Sequence, residues 1–114
     1  MQSLESRQWV SGAILMGAAD ATKVLVAGQP GRIFNVTGWL LSSVIAAAQA
    51  FDLESTDGAV ELEKIAATWA VGSRVQSFDL WKGIALPVGT GLRLQPAAAG
   101  PSVLAIFEGY FTGV

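Results

Sequence analysis

Residues 102–112 set the tightest constraint on what this chain can fold into. Their side chains alternate, Val103, Ala105, Phe107 and Phe111 against Leu104, Ile106, Glu108 and Tyr110, and a period of two is the period of a β-strand. Both halves of the alternation are largely apolar. Such a strand needs cover on both faces, so it is expected in the centre of a sheet or against a partner. It closes a longer stretch, residues 82–114 (KGIALPVGTGLRLQPAAAGPSVLAIFEGYFTGV), in which Gly89 and Gly91 bracket a tight reversal and Gly100-Pro101 marks another. Between the two, Leu92 and Leu94 oppose Arg93 and Gln95. Nothing in the stretch has the pattern of a catalytic motif.

The rest of the chain is built the same way. Residues 8–16 alternate Trp9, Ser11, Ala13 and Leu15 against Val10, Gly12, Ile14 and Met16, a first strand with a bulge expected at Gly12. TKVLVA, residues 22–27, is a short β-branched strand. Gly28-Gln29-Pro30-Gly31 predicts a type II turn, with Pro30 fixing φ at the first central position and Gly31 supplying positive φ at the second. Residues 32–41 form the next strand. The run 33–51 carries no charge and is long enough to cross a membrane. Asn35, Thr37, Gly38, Ser42, Ser43 and Gln49 interrupt it, and Phe34, Val36 and Leu40 share an alternate face. Two strands joined near Ser42-Ser43 account for it better.

Residues 44–54 are expected as a strand, with a short helix as the alternative because their alanines favour one. Ser55-Thr56-Asp57-Gly58 predicts an Asp-Gly hairpin. A strand over 59–65 follows, with Val60 and Leu62 inward and Glu61 and Glu63 outward. Strands over 74–82, 84–88 and 92–95 complete the set. Eight or nine short strands and no amphipathic helix predict an all-β fold, an antiparallel β-sandwich of jelly-roll-like form. The domain is expected to span residues 8–114, after a flexible N-terminal arm over residues 1–7.

At 114 residues the chain suits one domain. Hydrophobic residues make up 52% and charged residues only 14%, against roughly 25% charged in ordinary soluble domains. So few charges leave part of the surface without its usual cover, which predicts contact with other copies or partners. The basic residues, Arg7, Lys23, Arg32, Lys64, Arg74, Lys82 and Arg93, are scattered, so no nucleic-acid partner is expected. The chain has no cysteine and no histidine. That removes disulfides, thiolate chemistry, the commonest general base and the commonest zinc ligand. The first ten residues lack the basic and apolar regions of a signal peptide. A soluble protein with no membrane partner is the expectation.

Four arrangements of residues bear on chemistry. Asp52, Glu54 and Asp57-Gly58 faintly resemble a calcium loop, but its fixed alternate ligands, sixth-position glycine and terminal bidentate glutamate are missing. Glu61 and Glu63, two apart on one strand, do not flank a cleft as glycosidase carboxylates do. Gly89-Thr90-Gly91 lacks the lysine and following helix of a phosphate loop, and Ser11, Ser42, Ser43 and Ser73 have no histidine to activate them. No catalytic, cofactor or metal site is expected, and the chain is not expected to be an enzyme. Trp9, Trp39, Trp69 and Trp81, with Phe107, Tyr110 and Phe111, exceed what so small a core requires. Some are expected to anchor an interface or a glycan platform.

The phrases KVLVAGQPGRIFNVTGWLLSS and SFDLWKGIALPVGTGLRLQPAAAGPSVLAIFEGYF resemble small structural proteins of tailed bacteriophages. The resemblance covers residues 9–112 and is one of layout, with residues 84–94 as the hairpin and 103–111 as the final strand. It implies a virion β-sandwich, a capsid cement (decoration) or head-fibre protein. Such a protein would be made in the host cytoplasm and seated on the capsid surface as a homotrimer against the major capsid protein. Trp69, Trp81, Ile106 and Tyr110 are the expected interface residues. The alternative is a tail or fibre module that binds a host glycan through exposed aromatics.

Overall fold

The computed structural model describes residues 7–16, 22–45, 51–65, 74–78, 83–96 and 102–113. Within them the chain is all-β, in two antiparallel sheets. The strands are β1 (Gln8–Met16), β2 (Lys23–Val26), β3 (Arg32–Ile45), β4 (Phe51–Ser55), β5 (Glu61–Ile65), β6 (Arg74–Phe78), β7 (Ile84–Ala85), β8 (Leu92–Pro96) and β9 (Ser102–Gly113). The first sheet runs β1-β9-β3-β6, with β7 also paired to β3, and the second runs β2-β8-β4-β5. The two-sided apolar strand is β9, and it lies between β1 and β3 as its sequence requires.

Registers across these three strands explain the residue choices. On the inner face Gln8, Phe111 and Phe34 form one row, and Val10, Gly109 and Val36 the next. Gly12, Phe107 and Trp39 follow, then Ile14, Ala105 and Leu41. Large and small side chains therefore alternate, so that rings can lie across their neighbours. Phe34 and Phe111 pack with centroids 4.9 Å apart in a tilted pair. Leu25 and Val26 of β2, Leu53 of β4, and Leu92 and Leu94 of β8 join them in one buried cluster drawn from both sheets.

Several sequence expectations need correction. Gly12 is not a bulge: β1 and β9 pair without a register shift from Gln8 to Met16. The glycine serves packing, since a Cβ there would stand 3.1 Å from Phe107 Cζ. The chain does not break at Ser42-Ser43 either, because β3 continues to Ile45 with both serines paired to β9. No helix forms at either described end of residues 44–54; residues 46–50 lie outside the described set. β3 has two register shifts against β9, one at Val44 and one at Thr37, where the pairing steps from Val36–Gly109 to Gly38–Glu108. One extra residue inverts the alternation. Phe34 and Val36 face the core before it, Trp39 and Leu41 after it, and Leu40 turns outward rather than sharing the face of Phe34 and Val36.

The turns predicted at residues 28–31, 55–58 and before β8 are present, and Gly100-Pro101 lies outside the described residues. The Arg32 amide donates to the Gln29 carbonyl at 3.1 Å around Pro30-Gly31, and Gly31 takes φ +71°, which only glycine adopts without strain. At the β4–β5 hairpin Ser55 N–H donates to Val60 O at 2.9 Å and Gly58 N–H to Ser55 O at 2.9 Å. Pro87 O accepts from Thr90 N–H at 3.1 Å in the reversal before β8. Residues 79–82 of the strand expected over 74–82 lie outside the described residues.

Gly109 is where β9 comes closest to its neighbours. A Cβ there would meet the Asn35 carbonyl oxygen and stand 2.6 Å from Phe34 Cζ. Gly109→Ala is therefore expected to force β9 away from β3 and cost about 3 kcal/mol, the upper range for overpacking. Urea unfolding with an unchanged m-value would measure it. A variant as stable as the parent would mean that Phe34 swings aside freely.

Candidate interaction surface

The outward side chains of β1, β9 and β3 form four rows on the other face of the first sheet. These are Trp9–Tyr110–Asn35, Ser11–Glu108–Gly38, Ala13–Ile106–Leu40 and Leu15–Leu104–Ser42. The last two rows are aliphatic except at Ser42, and they reach the surface: Leu15 is 55% exposed and Ile106 39%. Strand pairing alone places them side by side, because residues opposite each other in adjacent strands stand ~5 Å apart.

The first row is aromatic and partly closed over itself. Trp9, 56% exposed, tilts against Tyr110 with centroids 4.9 Å apart, and the Arg7 guanidinium lies 4.7 Å above the Tyr110 ring. Tyr110 is consequently only 5% exposed although its strand position faces outward. Behind it the Asn35 amide donates to Tyr110 O at 3.2 Å and to Thr112 Oγ1 at 3.3 Å. Thr37 Oγ1 donates to the Glu108 carboxylate at 3.1 Å, so the bulge residue holds the one acidic side chain of β9 in place.

Of the residues expected at an interface, Ile106 lies in the aliphatic rows and Tyr110 beneath Arg7 and Trp9. Trp69 and Trp81 lie outside the described residues, as do residues 1–6 of the expected arm. Arg7, its last residue, packs on Tyr110. Trp9 and Leu15 belong with Ile106 on this face, and the signal for them was present in the alternation of residues 8–16.

The second sheet holds the acidic constellation. Asp52, Glu54 and Glu61 bring one carboxylate oxygen each within 4.8 Å of one another. Glu54 is buried, opposite both Arg93 and Glu61 in the register. Its Oε2 accepts from Arg93 Nε at 2.7 Å and lies 2.5 Å from Nη2. The guanidinium thus neutralises the most buried of the three acids. Asp57 takes no part in that group. It accepts from Ser55 Oγ at 2.6 Å and from Ala59 N–H at 3.0 Å, while Ser55 Oγ accepts from Val60 N–H at 3.1 Å. These bonds, the Ser55 hydroxyl first, hold the Asp57 carboxyl below its ordinary value of 3.8. This is the chemistry of a locked turn, not a calcium loop. The side chain of Glu63 lies outside the described residues.

No helix among the described residues is long and apolar enough to cross a membrane, and the uncharged run from Ile33 lies in β3 as far as Ile45. Comparison with protein-family models, curated proteins and solved structures gives no match to this chain.

Two outcomes follow from the second sheet. Arg93→Met strands a buried carboxylate beside two others and is expected to lower stability at neutral pH by about 3 kcal/mol. Equal denaturation midpoints for variant and parent would contradict the pairing. For Asp57 the folded form has the lower pKa, so its contribution is complete above pH 3.8 and is lost as pH falls through the folded value. Melting curves of parent and Asp57→Asn should therefore converge on acidification. A gap that stayed constant with pH would rule this out.

Proposed function

We propose that this chain is a non-enzymatic virion structural protein of the tailed-phage kind, a capsid cement protein that stabilises the head. The two sheets then form a jelly-roll-like β-sandwich, one face of which seats on the major capsid protein. The observation that carries the reading is the aliphatic face of Leu104, Ile106 and Leu40, uncovered at Ile106, on strands with almost no charge. The resemblance of residues 9–112 to phage structural proteins supplies the setting, and the shortage of charge agrees with it.

Magnitudes indicate how such a protein would work. A face of roughly 400 Å², the usual size of a functional apolar patch, contributes about 10 kcal/mol gross on burial. Association costs about 4–15 kcal/mol, so one copy alone would hold weakly. Joined copies seat together, because the second contact is intramolecular once the first has formed. An oligomer on the capsid lattice is therefore the working form, a homotrimer in the proteins the sequence resembles.

Ile106→Glu tests the seat. Its side chain is exposed, so the fold should survive with a melting temperature within a few degrees of the parent. Expanded phage heads lacking their decoration protein should retain the parent on sedimentation and lose the variant by more than about tenfold, a cost of at least ~1.4 kcal/mol. Equal retention of the two, or no retention of the parent, would refute the reading.

A further inference from the structure

Strand β1 is the edge of the first sheet: β9 pairs along one side of it, and no strand among the described residues pairs along the other. Natural edges of this length are blunted by charge, proline or a bulge. This one has nine residues, QWVSGAILM, with no charge and no proline, and its register with β9 is unbroken. We propose that β1 pairs with β1 of a second copy of this chain, antiparallel about a two-fold axis through Gly12.

The strand is its own complement about that residue. Positions 9 to 15 alternate between exposed and half-buried symmetrically around Gly12. The axis sets Trp9 against Leu15 of the copy, Ser11 against Ala13, and Val10 against Ile14. Trp9 and Leu15, the two most exposed large apolar side chains of the described residues at 56% and 55%, thereby cover each other twice. On the inner face Val10 and Ile14 extend the core row of one sheet into the next.

Charge also favours a second copy. Among the described residues the acidic side chain nearest the seam is Glu108, one strand in from the edge opposite Ser11. Across the pair the two Glu108 residues are separated by three strand spacings, ~14 Å or more, beyond the ~8–10 Å over which surface charges act at ordinary salt. Among the described residues no like charges meet. The seam runs ~30 Å at about 3.3 Å per residue and is ~10 Å thick, a footprint of roughly 300 Å² per copy before Trp9 and Leu15 are counted. With them it reaches the lower end of specific interfaces, near ~1,000 Å² in total. The pair is thus expected to form at micromolar concentrations rather than to be obligate. It requires no capsid and stands whether or not the chain seats on one.

Because the chain has no cysteine, the register can be read directly. Ser11→Cys and Ala13→Cys, mixed in equal amounts and oxidised, should give a disulfide-linked pair on the order of tenfold more readily than either variant alone. Directly opposed Cβ atoms stand within ~5.5 Å, whereas each cysteine and its own copy are diagonal, ~7–8 Å apart. Sedimentation velocity of the parent should show twice the chain mass, or an even multiple, and Ala13→Lys should halve it with the β-sheet circular dichroism unchanged. A parent that is monomeric at ~100 µM, a trimer with no cross-link in the mixture, or equal cross-linking in all three samples would overturn the proposal. Should the lysine variant fail to fold, the cysteine mixture alone decides.

Discussion

The fold depends on β9 being hydrogen-bonded along both edges. Its twelve residues pair with Arg32–Ile45 on one side, and Val103 to Phe111 also pair with Gln8–Met16 on the other, so most backbone groups that would be stranded in an apolar strand find partners. That pairing also joins the two ends of the described chain, since Gln8 opposes Phe111. Contacts so distant in sequence form only after most of the chain is ordered, which makes the first sheet a late and cooperative assembly. Loosening β9 would uncover β1 and β3 together.

A second constraint acts within that pairing. β3 is long, and a strict alternation along it could not serve a core whose apolar residues are Phe34, Val36, Trp39 and Leu41. The extra residue at Thr37 reconciles the two, and its hydroxyl then faces Glu108. This polar pair divides the outward face, with the Arg7–Tyr110–Trp9 stack on one side and the aliphatic rows on the other. The same bulge that completes the core thus marks off the surface assigned to contact.

How much of this was legible follows from how local each signal is. The limits of β1, the start of β9, the Pro30-Gly31 turn and the inward placement of Val60 and Leu62 depend on neighbours in sequence, and they were readable. Gly12 was misread because a strand glycine marks either a bulge or the close approach of a neighbour, and the neighbour, Phe107, is distant in the chain. Ser42 and Ser43 suggested a turn, yet serines are tolerated where a strand stays partly wet. The inversion at Thr37 is visible in retrospect as the apolar positions 34, 36, 39 and 41 changing parity. Of the outward face, the placement of Ile106 opposite the core-facing Phe107 was legible from alternation. The covering of Tyr110 was not, since only cross-strand register puts Trp9 against it.

The scarcity of charge links the core to the surface. Of the few cations, Arg93 is held by buried Glu54 and Arg7 lies on Tyr110, so both serve the interior of the chain. Along β1, β3 and β9 the sequence supplies only Arg32 and Glu108. A monomer would normally place lysines on such a face and edge to keep other sheets away. The proposed cover for the face and pairing at the edge would leave less apolar surface in water, and would account for a strand sequence that a solitary sheet would not tolerate at its margin. A composition poor in charge and an edge poor in protection are then one property of the chain, seen first in its sequence and again in its sheet.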